Sequence, residues 1–295
     1  MNAAAPHSSL CAPVLVWDFS DRTQLVFRGL DRLRYLNGQL TQDLKKLTPI
    51  RALPACVTNA KGRLQADVWV SLGEDVLIVD AAPELREILA ARLERYIVAD
   101  DVTLEDCTGS GGLLHCFGFN PEEHPVLREF SATLAARLGE DGWDVRVPVE
   151  RLAAVRTALG LQLGSAADWE RLRLERGIPQ WGNELSEETL PPEAGLERTH
   201  IDYHKGCYIG QEVISRLKSV GHVNRKLCRF RGDGAILPGK GAPLCVVGGD
   251  GSASGTLTSV VAVGDGFLAL GYVKRGCEES TFSTANGILL QRLAS

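Results

Sequence analysis

Beyond Gly221 the chain changes character: residues 226–231, 242–247, 255–263, 267–273 and 288–292 are short apolar runs separated by glycine-bearing turns. Such runs are strand signals, and their close spacing leaves no room for the helices that parallel crossovers require. They predict an all-β module, a small barrel or sandwich, over residues 223–295. Residues 13–222 instead alternate strand patterns with amphipathic helix patterns, which is the α+β signature. No internal repeat or low-complexity segment interrupts either part.

Within the first part, residues 1–12 read as a disordered lead. Residues 14–17 and 24–27 read as strands joined by a polar turn into a hairpin. Asp31 is predicted to cap a helix carrying Leu33, Leu36, Leu40 and Leu44 on one stripe. Strand patterns at 52–58, 64–72 and 76–80, broken by turn formers, predict an antiparallel meander. Residues 83–98 predict a helix with Pro83 in its first turn and Leu85, Ile88, Leu89, Leu93 and Tyr96 inward. Strands at 113–117 and 143–149 flank a helix predicted over 125–138, and Gly109 to Gly112 read as a loop. A further helix is predicted over 166–176, with Ser165 as N-cap and Asp168 completing a capping box.

The chain has 295 residues, of which 44% are hydrophobic and 23% charged, as in a soluble protein of two or three domains. A net charge of -5 argues against a dedicated nucleic-acid binder. The exception is the cluster Arg216, Lys218, His222, Arg225, Lys226 and Arg229, either a solvated surface or a site for an anionic tail, phosphate or acidic partner. Eight cysteines, at 11, 56, 107, 116, 207, 228, 245 and 277, include no pair at the spacing of a metal or redox site, so reduced thiols and no metal site are expected. No apolar stretch reaches the ~20 residues of a membrane helix. The first residues lack both an apolar run and an arginine, so a cytoplasmic location is expected.

The run His204-Lys205-Gly206-Cys207-Tyr208-Ile209-Gly210-Gln211-Glu212 places a thiol beside an amine at a glycine-broken turn. A helix follows in the pattern, with Val213, Ile214 and Leu217 on one side. A helix N-terminus and the Lys205 ammonium would both favour the Cys207 thiolate; the alternative is a buried structural cysteine. Asp67 lies in the alternating strand 64–70, where an inward carboxylate is costly unless it serves a ligand and an outward one needs no explanation.

The motif Lys-Gly-Cys-Tyr-x-Gly-Gln-Glu resembles the signature of the YgfZ-type folate-binding proteins, relatives of the glycine-cleavage T-protein that are implicated in maintaining iron–sulfur enzymes. The resemblance implies a three-lobed fold: two interleaved α+β lobes around a central folate pocket, with a C-terminal β-barrel-like module. Residues 169–196 resemble the second half of the T-protein folate site. There Glu175 matches the glutamate that holds the pterin edge, and Trp169 matches a tryptophan lining the pocket. Glu193 and Glu184 are supporting candidates. Residues 29–43 resemble a family helix and turn in which Leu40 is core and Thr41 and Asp43 cap. Residues 58–67 match the stretch carrying the catalytic aspartate of aminomethyl transfer, at Asp67. Arg22 stands where some relatives place an aromatic residue beside the folate, so its guanidinium could stack on the ring or pair with the folate tail.

The resemblance implies a monomeric, non-catalytic or weakly catalytic factor that binds tetrahydrofolate or a derivative. Its role would be assembly or repair of iron–sulfur clusters in other enzymes, including tRNA-modifying ones. Its implied partners are reduced folate and iron–sulfur enzymes or assembly proteins, with no direct nucleic-acid or membrane contact. Cys207 would be the reactive thiolate and Lys205 would lower its pKa. Protein-bound clusters usually take four ligands, so a contact through Cys207 is expected to be transient or shared. The alternative is a folate-dependent aminomethyltransferase or demethylase using Asp67, although T-proteins lack the motif cysteine. An interaction scaffold that has lost folate is the third reading.

Overall fold

The computed structural model describes residues 15–130, 132–137, 142–160 and 162–294; the lead over residues 1–12, with Cys11, and Val14 lie outside the described residues. The first elements are β1 (Leu15–Asp18), β2 (Thr23–Arg28), α1 (Arg32–Gln39), β3 (Leu53–Thr58), β4 (Leu64–Leu72), β5 (Leu77–Ala81), α2 (Arg86–Glu94) and β6 (Thr103–Asp106). Next come β7 (Gly111–Phe117), β8 (Thr133–Ala136), β9 (Gly142–Pro148), α3 (Leu152–Leu159), β10 (Gln162–Leu163), α4 (Ala166–Arg176) and α5 (Gln211–Ser219). The last are β11 (Arg225–Asp233), β12 (Pro243–Val246), β13 (Ala253–Val263), β14 (Gly266–Lys274), β15 (Thr281–Ser283) and β16 (Leu289–Arg292).

These strands build two five-stranded sheets, ordered β3-β4-β5-β2-β6 and β10-β1-β7-β9-β8, and a closed barrel ordered β11-β14-β13-β12-β15-β16. The predicted meander is present as β3-β4-β5. Leu36, Leu40, Leu89 and Leu93 pack with Leu25, Phe27, Val68 and Val79 to form the first core. Val16, Leu114, Val145 and Val155 centre the second, and Phe230, Phe267 and Phe282 fill the barrel.

The expected hairpin of β1 with β2 does not form. β2 lies between β5 and β6, whereas β1 joins the other sheet between β7 and β10. Side-chain alternation names the face a strand buries but not its partner, and here the turn after β1 is the crossing point between sheets. The two lobes are interleaved because they divide this first pair of strands.

Other corrections are local. The described residues of 125–138 form no α-helix: a 3-10 turn at Pro125–Arg128 leads to β8, which pairs with β9. Leu127 and Leu134 sit at a spacing that suits a helix, but each packs instead on the second core from a separate element. Ile88 is exposed because the buried stripe of the helix runs through Leu85, Leu89 and Leu93, about 100° away from it, and Tyr96 is exposed because α2 ends at Glu94 and leaves it beyond the helix beneath the Arg92 guanidinium. Leu33 faces outward, and Tyr35 takes the buried place, donating to the Leu93 carbonyl. Asp31 does not cap α1; its carboxylate accepts from the Asp101 N–H at 2.9 Å. Gly111 and Gly112 belong to β7 rather than a loop, and a Cβ on Gly112 would lie 2.8 Å from Leu152. The barrel also contains β15, a strand too short to register as a pattern.

α4 forms as predicted, with Ser165 accepting from the Asp168 N–H and Asp168 accepting from the Ser165 N–H. It rests on the barrel wall through Leu174, which packs with Leu268 and Leu270. Beside it the fully buried Arg173 donates to Glu170, to Glu184 at 2.9 Å and to Ser259 of β13 at 2.6 Å. A buried guanidinium is tolerated because its donors meet carboxylates and a hydroxyl.

Candidate functional site

The two sheets meet along a seam of polar and aromatic side chains. Asp80 of β5 accepts from Arg22 at 2.7 Å, Arg137 at 2.5 Å and Arg146 at 2.9 Å. Arg137 also donates to Asp144 at 2.7 Å, and His115 Nδ1 lies 2.9 Å from the same carboxylate. Burial opposes charge on Asp80, but Arg137, Arg22 and Arg146 outweigh it and hold the carboxyl well below its ordinary value. Asp144 is lowered in the same sense: burial opposes its charge, and Arg137 and His115 prevail. Strands from both lobes are thus pinned by charges that neutralise one another out of water.

At one end of the seam Phe19 stacks on His115 with ring centres 5.5 Å apart, and Trp17 lies 6.4 Å away. Trp169 from α4 stands edge-on to Trp17, Phe19 and His115 at 5.0–5.8 Å. His115 is fully buried, and its Nε2 has no hydrogen-bond partner. Further along, the Arg137 guanidinium lies 4.8 Å over Trp69, and Trp69 stands 6.2 Å from His200. His200 Nε2 is 3.0 Å from Asp67 Oδ1, at ion-pair distance but without a hydrogen bond. Asp67 is half-buried, with 21% of its side chain exposed.

The predicted residues distribute unevenly over this geometry. Trp169, Arg22 and Asp67 lie along the seam. Arg22 pairs with Asp80, and the aromatic ring of the early turn is supplied by Phe19, whose centre is 6.0 Å from the Arg22 guanidinium. Glu175 lies elsewhere. It is two positions from buried Arg173, about 200° around the helix, with 40% of its side chain exposed and Arg171 3.8 Å away. Glu193 accepts from the Leu190 N–H and from Arg225 Nε at 3.1 Å, and Glu184 receives Arg173 and the Ser259 hydroxyl; both fasten loops to the barrel.

Phe19, His115, Arg137, Asp144 and His200 escaped the sequence reading. A usable signal existed for two of them, since Leu114 and Cys116 of β7 face the second core and leave His115 on the other face. His115 is also directly opposite Asp144 in the β7–β9 register.

The Cys207 motif forms a second, rigid element. The Lys205 ammonium donates to the carbonyls of Asn37, Leu40 and Gln42 at 2.5–2.9 Å, so all three of its donors are occupied. Burial pushes its pKa down to about 8, with Asp43 and Asp202 acting in the opposite direction. Thr41 joins the same clamp, donating to the His200 carbonyl and accepting from the Cys56 N–H, while Asp43 caps a turn through the Lys45 N–H. Gly210, at φ 87°, starts α5, and a Cβ there would lie 2.5 Å from the Asn59 carbonyl oxygen. Tyr208 is buried on one side of Cys207 and Lys205 on the other. Cys207 itself is exposed, and among the seven described cysteines it alone is. Its burial as a structural thiol is therefore excluded.

Two cavities, of about 460 and 470 Å³, flank α5 and the motif loop. Neither is lined by Trp169, Glu175, Glu193, Arg22 or Asp67. Among the described residues there is no group of three His, Cys, Asp or Glu side chains able to hold a metal ion, and no helix is long and apolar enough to cross a membrane.

No family model matches the chain. It is 27% identical over 281 residues to the tRNA-modifying protein YgfZ of Klebsiella pneumoniae, covering 89% of this chain and 86% of that protein. It is likewise 27% identical over 287 residues to the tRNA-modifying protein YgfZ of Yersinia pestis, covering 90% and 85%. Its structure superposes on glycine cleavage system aminomethyltransferase T from Bartonella henselae with a TM-score of 0.81 at 20% identity, covering 96% of this chain and 86% of that one. With two interleaved α+β lobes and a closed six-stranded C-terminal barrel, the chain has a YgfZ-type aminomethyltransferase T fold.

Proposed function

We propose that this protein is a reduced-folate-binding factor that supports iron–sulfur enzymes, tRNA-modifying ones among them, through the exposed thiol of Cys207. The observation that carries the reading is the presentation of Cys207: an exposed thiol on a loop held at both sides by buried Lys205 and Tyr208. A fixed, accessible thiol suits transient contact with a partner's cluster, since thiolates ligate iron and a single cysteine leaves the other ligands to the partner. Lys205 acts here as a positioning residue, because its donors serve the loop's own scaffold.

The seam has groups that fit the folate ring. Trp169 offers an aromatic edge, His115 Nε2 is buried without a partner, and Asp67 Oδ1 is an acceptor with no hydrogen bond. Asp67 would accept an N–H of the ring and Trp169 would pack on it, whereas Glu175 stands on the solvent face of α4. When bound, a reduced folate supplies a pyrimidinone edge with N–H donors and a nitrogen able to carry a one-carbon unit.

The test is the activity of an iron–sulfur-dependent tRNA-thiolating enzyme in a deletion strain of the native host, complemented with wild type or Cys207→Ala. Rescue by wild type alone is expected, and full rescue by the alanine variant overturns the role of the thiol. Tetrahydrofolate titration of wild type and Trp169→Ala tests the folate half separately.

A second reading, aminomethyl transfer, draws on the pairing of Asp67 with His200 at 3.0 Å, which would orient a general base. Methylenetetrahydrofolate formed from reduced folate and an aminomethyl-loaded lipoyl carrier, and abolished by Asp67→Asn, would establish it.

A further inference from the structure

Half of the basic cluster read in the sequence, Lys218, His222 and Lys226, lines a cavity that the proposed function does not use, whereas Arg225 pairs with Glu193 and Arg229 with the Glu175 carbonyl. The cavity of about 460 Å³ lies between α5 and the barrel, where Lys218, Lys226, Lys274, Arg275 and Arg292 line its wall with His222. Five permanent cations converge on one concavity of a chain whose net charge is -5. Among the described residues, none of the five has a carboxylate within ion-pair distance. In contrast, Arg22, Arg137, Arg146 and Arg173 are each matched to carboxylates.

Three of the cations are held in place by neutral groups, Lys274 by donating to the Ala253 carbonyl at 2.6 Å. Lys218 sits 3.6 Å over the Tyr203 ring, and Arg292 donates to the Cys277 carbonyl at 3.0 Å. Lys226 and Arg275 are exposed, and their side chains have no polar partner among the described residues. The wall also holds Pro192, Leu217 and Val223, which give an organic body an apolar surface. Glu197 contributes a further signal, because its Oε2 is buried without a hydrogen-bond partner and needs a donor.

We propose that this cavity binds a small phosphate ester that also carries a hydrogen-bond donor, the chemistry of a free nucleotide. Guanidinium and ammonium groups suit phosphate oxygens, the donor meets Glu197, and the volume is in the range of small-molecule sites. The five cations meet at one concavity of an acidic chain, which also holds Glu197 and Glu278, and this favours a small ligand with donors over a nucleic-acid backbone; Lys218 also faces the neighbouring cavity.

Isothermal titration calorimetry with ADP, inorganic pyrophosphate, citrate and tRNA tests this on the full chain. The variants are Lys226→Glu/Arg275→Glu and, as an unrelated surface charge, Lys61→Glu. We expect one ADP per chain, with affinity lowered about a hundredfold by the double reversal, about tenfold for each charge-assisted contact, and unchanged by Lys61→Glu. Both reversed residues are exposed, so the fold is retained, as circular dichroism will check. The proposal is overturned by no heat with millimolar ADP, by equal loss in Lys61→Glu, by citrate binding as tightly as ADP, or by tRNA binding without ADP.

Discussion

Asp80→Asn tests whether the charged seam holds the two lobes together. The substitution keeps the side-chain volume but replaces a carboxylate that receives three guanidiniums with an amide. The amide's NH2 must then point at one of them. Arg137 and Arg146 share Oδ2, so the amide oxygen would keep both while its NH2 faces Arg22 at the Oδ1 position, and the two buried guanidiniums would lose the carboxylate's charge. Removing one partner of a buried ion pair costs about 3–5 kcal/mol, a large share of a domain stability of about 5–15 kcal/mol. Urea unfolding at neutral pH, followed by circular dichroism and tryptophan fluorescence, should show a lower midpoint by that amount. The pH dependence gives an independent check. In the folded protein the Asp80 carboxyl is held below its ordinary value of 3.8, so on acidification the unfolded chain takes up the proton first. The stabilisation is therefore fully present above about pH 4 and is lost as the pH falls through 3.8 toward the folded value. The gap between wild type and Asp80→Asn should close over that acid range. A loss below about 1 kcal/mol at neutral pH, or a gap that does not change with pH, would refute the reasoning.

Cys207→Ala should change stability by less than about 0.5 kcal/mol, as for an exposed site, while removing the thiol that native-state alkylation and mass spectrometry label fastest. Lys205→Met leaves the Asn37, Leu40 and Gln42 carbonyls without their shared donor, at about 1–3 kcal/mol for a buried unsatisfied group, measurable by urea unfolding. Because burial lowers the folded pKa of Lys205 from 10.5 to about 8, wild type should gain stability relative to the methionine variant as the pH rises between those values. Gly210→Ala forces a side chain into the left-handed region and against the Asn59 carbonyl, so its thermal midpoint should fall and native-state proteolysis should cut near Cys207. An unchanged midpoint would show that the loop relaxes around the new methyl group.

What could be read from the sequence was local. The start of α4 is written in Ser165 and Asp168, three residues apart, and the motif around Cys207 is contiguous, so both were legible. Among the long barrel strands β11 alternates between buried and exposed positions and β14 is one continuous apolar run, both legible between glycines; β15, with three residues, is too short to register. The destination of β1 was hidden because a strand pattern carries no information about its neighbour in the sheet. The seam was hidden for a related reason: Asp80, His115, Arg137 and Asp144 come from four segments, and each looks like an ordinary strand or loop residue on its own. Arg173 reads as a surface residue of a charged helix until Glu184 and Ser259, 11 and 86 residues away, are seen to enclose it.

Arg173 also determines how the barrel can be inherited. Its guanidinium reaches across to Ser259, and Leu174 beside it lies against Leu268 and Leu270, so α4 is shared property of the lobes and the barrel. A chain cut after residue 222 would leave a fully enclosed arginine without its barrel hydroxyl and an apolar strip facing water. Insertions in the connection ahead of β11 should be tolerated, because that contact does not run through the connecting backbone. A barrel transplanted from a distant relative would need a matching hydroxyl and apolar wall. The C-terminal module should therefore diversify by its loops, with this joint kept intact.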